Sequence, residues 1–245
     1  MAGGQGSSWA AEGLVLKPGS GPVHEWLAPI PADVVSDGFS LATPVQTLHG
    51  TWSWDGWSAA RWVDGTEPDR ALASTWLDIL EAGRAFHRAM AHLDRPGCLG
   101  DRDDWWAVAD RVAWGEHVVQ VHPRFEHLNR RLQRALAPLG PPQVVHADLT
   151  GNVLFSHQLP PAVIDISPYW RPPEYAEGVV VADALCWHGA QASLLDQTGV
   201  SVAAVARALL FRMMTTNEAV ACGRGDVDLE DEARRYDLAT AAIGV

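Results

Sequence analysis

The segment that most narrows what this chain can become is VVHADLTGNVLF, residues 144–155, taken with the run AVIDIS at 162–167. The apolar stretch Val153–Phe155 and the later AVIDIS flank the turn-forming SHQLPP, which predicts an antiparallel hairpin with a loop of about six residues. In antiparallel pairing the start of one strand lies beside the end of the other. Asn152 opens the first strand and Asp165 ends the second, so both are expected at one end of the hairpin, with Asp148 close before them. An amide and a carboxylate oxygen converging there suit Mg²⁺, which prefers oxygen ligands and often takes only one or two from protein beside substrate phosphates. Asp148, on the adjoining loop, is placed to accept a proton from a substrate hydroxyl. Taken singly, these residues read as turn caps and a strand end. Their convergence is what points to chemistry.

The chain before this hairpin divides in two. Residues 13–17, GLVLK, read as a short strand closed by PGSGP, and the glycine-rich GGQGSSW leads into a further strand around Ser8–Ala11. HEWLA, residues 24–28, reads as a short helix. The Trp-rich alternation over 41–63, with Asp55–Gly56 as its turn, predicts a hairpin. DGTEPD, 64–69, is the first linker. From residue 71 the period becomes helical: Leu72, Trp76, Leu80, Phe86 and Met90 share one stripe, and further helices are predicted at 103–119, 124–137, 176–196, 201–221 and 228–243. The expected domains are a small β-rich segment, 1–64, and a larger helical one, 65–245, carrying the hairpin.

A net charge of −12 argues against nucleic acid or an anionic membrane as partner, while remaining compatible with a cationic small molecule. Cys98, Cys186 and Cys222 are odd in number and far apart, with no zinc spacing, and the N-terminus lacks the features of a signal peptide, so a reducing cytoplasm is the expected location. No apolar run approaches the roughly 20 residues needed to span a bilayer. Of the 18 basic residues only Lys17 is lysine. A position that stays lysine in so arginine-rich a chain is a candidate for needing a compact ammonium group. Most of the twelve tryptophans are expected in the core and at a hinge.

HADLTGN followed by VIDI resembles the catalytic and metal-binding segments of the aminoglycoside phosphotransferase-like, or protein-kinase-like, superfamily. The resemblance implies an α+β, two-lobed protein-kinase-like fold, with a small antiparallel β N-lobe, its first strand missing, and a larger helical C-lobe. It implies ATP and Mg²⁺ as cofactors and a small hydroxylated molecule as substrate. By the same resemblance Asp148 is the catalytic base and His146 braces the catalytic loop, while Asn152 and Asp165 hold the metal. Lys17 matches the strand lysine that reaches the α- and β-phosphates, with Glu25 as its ion-pair partner. Gly4, Gly6 and Ser7 belong to a glycine-rich loop over the nucleotide, and Arg61 and Trp62 lie at the adenine-contacting hinge. Asp183 matches the buried aspartate that ties the helical lobe to the catalytic loop, and its burial requires a partner. Tyr169, Trp170 and Arg171, in SPYWRPPEYAEG, are candidates for the acceptor pocket. The sequence departs from the pattern in having three residues, not four, between Asp148 and Asn152, and in lacking Asp-Phe-Gly at VIDIS.

Three functional readings follow. The first is an ATP- and Mg²⁺-dependent phosphotransferase acting on a small-molecule hydroxyl. The second is a catalytically weak pseudokinase serving as a nucleotide-binding or protein-interaction module. The third is a metal-dependent hydrolase built on His146 and Asp148. The sequence leaves the acceptor, the choice between ATP and GTP, and the oligomeric state open.

Overall fold

The computed structural model describes residues 8–19, 21–30, 38–100 and 102–245. The chain forms two compact units. The first comprises Met1–Asp69, Glu81–Gly100 and Gln143–Trp170, and the second Arg70–Leu80, Asp101–Pro142 and Arg171–Val245.

In the first unit β1 (Trp9–Ala11) and β2 (Leu14–Pro18) form an antiparallel hairpin around Glu12 and Gly13. Both turn residues have positive φ, +48° and +76°, which gives the tight turn a twist that matches paired strands. A seven-residue helix, α1 (Gly21–Leu27), follows. Beyond β3 (Ser40–Leu41) and β4 (Pro44–Val45), the chain enters β5 (Trp57–Arg61) through the predicted Asp55–Gly56 turn, where Trp54 and Trp57 exchange backbone hydrogen bonds of 2.8 and 2.9 Å. The four-stranded antiparallel sheet runs β1-β2-β5-β4, with Lys17 opposite Ser58. The expected linker is pinned: Thr66 and Phe155 exchange two 2.9 Å backbone bonds. Gly65 makes room for this, since a Cβ there would meet that of Leu154 at 2.9 Å.

The helical stripe from residue 71 becomes α2 (Ala73–Met90), whose first half belongs to the second unit and whose second half belongs to the first. Trp76, Leu80, Phe86 and Met90 are buried along it. Leu72 precedes the helix and is exposed. The helices after α2 lie in the second unit: α3 (Trp105–Ala113), α4 (Glu126–Ala135), α5 (Pro173–Trp187), α6 (Ser193–Thr198), α7 (Val202–Ala221) and α8 (Leu229–Ala242). The single helix expected over 176–196 is two, separated at Gly189, whose φ of +68° cannot continue a right-handed helix.

α7 is apolar on nearly every face, the pattern of a helix buried all round, and it packs against α3, α4, α5 and α8. α5 packs tightly against it at Gly178, where a Cβ would lie 2.5 Å from the Ala204 carbonyl oxygen. Asp183 of α5 finds the partner its burial demands in Arg212 of α7, through bonds of 2.8 and 2.6 Å. Of the twelve tryptophans only Trp76 is fully buried; Trp26, Trp52, Trp105, Trp106, Trp114, Trp170 and Trp187 are half-buried, and Trp9, Trp54, Trp57 and Trp62 are 39–67% exposed on the small sheet. An indole is too large to bury fully in so thin a layer. Among the described residues no helix is long and apolar enough to cross a membrane.

Candidate active site

β6 (Gln143–His146) carries the chain into the loop of Asp148 and Asn152, and its Val144, Val145 and His146 are fully buried. It pairs with β9 (Pro168–Arg171). Between them, β7 (Val153–Leu154) and β8 (Ala162–Val163) form the predicted hairpin, with Val153 opposite Val163. β3 adds to β8 in parallel, a contact between distant segments with no signal in the local pattern.

The hairpin brings its polar residues together in the first unit. Asn152 donates its side-chain N–H groups to the Asp148 carbonyl oxygen at 2.6 Å and to Asp148 Oδ2 at 3.2 Å. Its backbone N–H reaches the Leu149 carbonyl at 2.9 Å, and its own carbonyl accepts from Ile164 at 2.9 Å. The loop with one residue fewer between Asp148 and Asn152 is therefore closed on itself and tied to the second strand. His146 braces it from below. Its Nδ1 accepts the Asp148 backbone N–H at 3.2 Å, so Nε2 carries the proton and donates to the Ile164 carbonyl, also at 3.2 Å. Burial lowers the His146 pKa despite the opposing influence of Asp148. With both ring nitrogens engaged and the ring wholly buried, His146 cannot also ligate a metal, which removes the hydrolase reading.

Asp165 lies two residues beyond β8 with φ +48°, in the left-handed region that non-glycine residues seldom occupy. Lys17 of β2 meets it, Nζ to Oδ2 at 2.7 Å. The expected Lys17–Glu25 pair is not what forms. Glu25 is exposed on α1, and among the described residues it has no salt-bridge partner. Successive helical residues point about 100° apart, and α1 turns His24 inward instead. Burial lowers the His24 pKa first, Lys17 lowers it further, and Asp165 opposes both.

Arg61 ends β5, and Trp62 follows with its backbone N–H on Gly13 of the β1–β2 turn at 2.8 Å and its indole N–H on Asp64 at 3.0 Å. Gly4, Gly6 and Ser7 lie outside the described residues. Arg171 is committed elsewhere, to Asp110 at 2.7 Å and Glu116 at 2.6 Å, above the Trp114 ring. Those carboxylates raise its pKa against the effect of burial, while burial raises the pKa of Asp110 despite Arg171. Tyr169 is buried. Neither is an open pocket wall.

Sequence reasoning overlooked two histidines, His24 and His87. His87 sits in the buried arc of α2 between Phe86 and Met90, and a polar residue inside an apolar stripe was the available signal. His24 carried no such signal beside the more obviously charged Glu25.

The oxygen chemistry fits Mg²⁺. Asp165 offers a partly exposed carboxylate. Asn152, with its amide nitrogen engaged by Asp148, has only its side-chain oxygen left, and no donor meets that oxygen among the described residues.

A strand lysine, a closed Asp–Asn loop and an aspartate beyond the returning strand, on a mixed chain with a small antiparallel sheet and a larger helical part, define a protein-kinase-like fold. The chain belongs to the phosphotransferase enzyme family, whose model matches residues 29–166, more than half its length. Among solved structures it is similar to choline kinase LicA from Streptococcus pneumoniae (14% identity, TM-score 0.63, covering 100% of this chain and 92% of the other). It is also similar to an aminoglycoside phosphotransferase from Alicyclobacillus acidocaldarius (15%, 0.59, covering 100% and 90%). A third is a thermostable aminoglycoside phosphotransferase APH(4)-Ia mutant in ternary complex with AMP-PNP and hygromycin B (16%, 0.58, covering 97% and 88%). At these identities the likeness is one of fold. No protein of curated function matches the chain in sequence.

Proposed function

We propose that this protein is an ATP- and Mg²⁺-dependent phosphotransferase that moves the γ-phosphate to a hydroxyl of a small, cationic molecule such as an amino sugar or amino alcohol. Residues 1–64 serve as the nucleotide-binding lobe and 65–245 as the lobe bearing the catalytic loop. The observation that carries this reading is the meeting of Lys17, Asp148, Asn152 and Asp165 in one compact unit, with Lys17 on Asp165 and Asn152 on Asp148. The acceptor class is supported by the chain's charge of −12 and by the choline and aminoglycoside kinases among its fold neighbours.

Asn152 and Asp165 would hold the metal, which when bound neutralises charge on the phosphates. Without nucleotide, Lys17 and Asp165 neutralise each other. Their side chains are 22% and 39% exposed, so separating them costs on the order of 1 kcal/mol or less. Arriving phosphate oxygens offer Lys17 a more highly charged partner, and Asp165 is then released to its second role. Asp148, its carboxylate held through Oδ2 by Asn152, orients the acceptor hydroxyl and takes its proton. His146 keeps the Asp148 backbone and the strand before Asp165 in register. Arg61 and Trp62 would border the adenine, and the glycine-rich run with Gly4, Gly6 and Ser7 would serve the phosphates.

The test is ATP turnover across hydroxylated amines. Asp148→Ala should lower the rate on the order of 10²–10⁴-fold while nucleotide still binds, and Asp165→Ala should instead weaken Mg²⁺-dependent nucleotide binding. An unchanged rate in Asp148→Ala would remove that residue from the mechanism. Nucleotide binding without turnover of any acceptor would favour the pseudokinase reading.

A further inference from the structure

The second half of α2 turns Gly83, Phe86 and His87 toward the catalytic loop. Gly83 leaves room for Leu149, whose Cδ1 would stand 2.5 Å from a Cβ there, and the Phe86 ring meets that of His146 edge-on at 6.1 Å. His87, only 2% exposed, does more than fill space. Its Nε2 accepts the backbone N–H of His146 at 3.2 Å, and its carbonyl oxygen accepts from Gln143 Nε2 at 2.5 Å. β6 is thus tied to this one residue at both ends.

Strand geometry explains why that bond is needed. Successive N–H groups point to opposite edges of a strand. Ala147 directs its N–H to Ser167 on the β9 side, so His146 directs its own to the other edge, where among the described residues β6 has no strand neighbour. His146 is fully buried, and a buried N–H without an acceptor is costly. The imidazole supplies the acceptor at a cost of its own, since its buried Nδ1 has no partner among the described residues. Leucine would pack there without that cost, so filling volume alone does not account for a histidine.

The bond is the first link of a chain. His87 fixes the His146 backbone, and the His146 ring fixes the Asp148 N–H on one side and the Ile164 carbonyl, adjacent to Asp165, on the other. We propose that His87 is a positioning residue of the phosphotransfer site, holding His146 so that Asp148 and Asp165 keep their mutual placement. This rests on the phosphotransferase reading above.

The experiment compares wild type, His87→Leu and His87→Gln in steady-state turnover of ATP and in amide hydrogen exchange over residues 143–152. Glutamine places a carbonyl oxygen near the position of Nε2, and leucine offers no acceptor. His87→Leu should lower kcat roughly tenfold to hundredfold, about 1.4–2.7 kcal/mol in the barrier, with KM for ATP changed by no more than about twofold. Exchange at His146 and Asp148 should speed up. His87→Gln should restore both to within about threefold of wild type. A leucine variant that melts earlier but keeps wild-type kcat would overturn the proposal, as would glutamine and leucine variants that cannot be told apart. If the leucine variant fails to fold, His87→Asn takes its place, its shorter side chain stopping short of His146, and equal kcat in the asparagine and glutamine variants would overturn the proposal. If wild type turns over no acceptor, the phosphotransferase reading fails by itself. Unchanged exchange in the variants would then separately overturn the role of His87 in holding the loop.

Discussion

His87 and His146 sit against each other in the first unit, both wholly buried and both made less basic by it. Burial pushes His87 from an ordinary 6.5 down to about 3, and His146 beside it adds to the effect. As pH falls below 6.5 the unfolded chain gains a proton on His87 that the native state refuses until about pH 3. The unfolded state binds more protons throughout that window, so stability falls with acid. The contribution is whole above pH 6.5 and is lost on the way down to pH 3, at a slope of up to about 1.4 kcal/mol per pH unit. His146 acts in the same direction. Between pH 7 and 5, before most carboxylates titrate, the urea midpoint of the wild-type protein should therefore drop, and the drop should be shallower in His87→Gln by about one proton. Equal slopes in the two proteins would mean that His87 is already protonated in the native state.

Helices α5 and α7 show how one missing side chain sets the spacing of two elements. Alanine in place of Gly178 would gain about 1 kcal/mol of helix propensity. Its Cβ would meet backbone atoms, Ala204 O at 2.5 Å and C at 2.6 Å, and these cannot rotate away as a side-chain end could. Contacts this short to backbone call for the upper part of the overpacking range, about 2–3 kcal/mol, which should win and leave Gly178→Ala less stable by roughly 1–2 kcal/mol. Gly225, with nothing within 4 Å of its Cβ position, is the control, and alanine there should change stability, read from denaturant unfolding, by no more than about 0.5 kcal/mol. The elements most legible in the sequence were those with strong local signals: α2 from its apolar period, α7 from its long apolar run, the Asp55–Gly56 turn from its residue types, and the β7–β8 hairpin from two apolar runs around Pro160 and Pro161. What escaped were pairings between distant segments. The parallel addition of β3 to β8 and the pinning of Thr66 to Phe155 depend on backbone groups, and no side-chain pattern announces which distant edge will accept them.

Across the whole molecule the legible part of the candidate site is the part made of charged and amide residues. Lys17, Asp148, Asn152 and Asp165 stood out because each is a polar residue of the right chemistry beside an apolar run, and the structure gathers all four into one unit. The supporting residues did not stand out. Choosing between Glu25 and His24 required knowing which way a two-turn helix faces, and recognising His87 required knowing that one edge of β6 lacks a neighbouring strand. The placement of the four groups also says where a nucleotide should be felt. Mg²⁺–ATP at about 100 times its Kd should stabilise the protein by ~2.7 kcal/mol, roughly 5–10 °C in melting temperature for a chain of this length. Because all four belong to the first unit, slowed amide exchange should be strongest in β2, the 147–152 loop and the segment around Asp165, and weak in α7 and α8 of the second unit beyond any change in global stability. Lys17→Met should remove most of the shift while leaving the melting temperature of the free protein nearly unchanged, because the partly exposed ion pair it breaks adds little. A nucleotide shift that survives Lys17→Met intact would place the phosphates away from β2 and refute the assignment of this lysine.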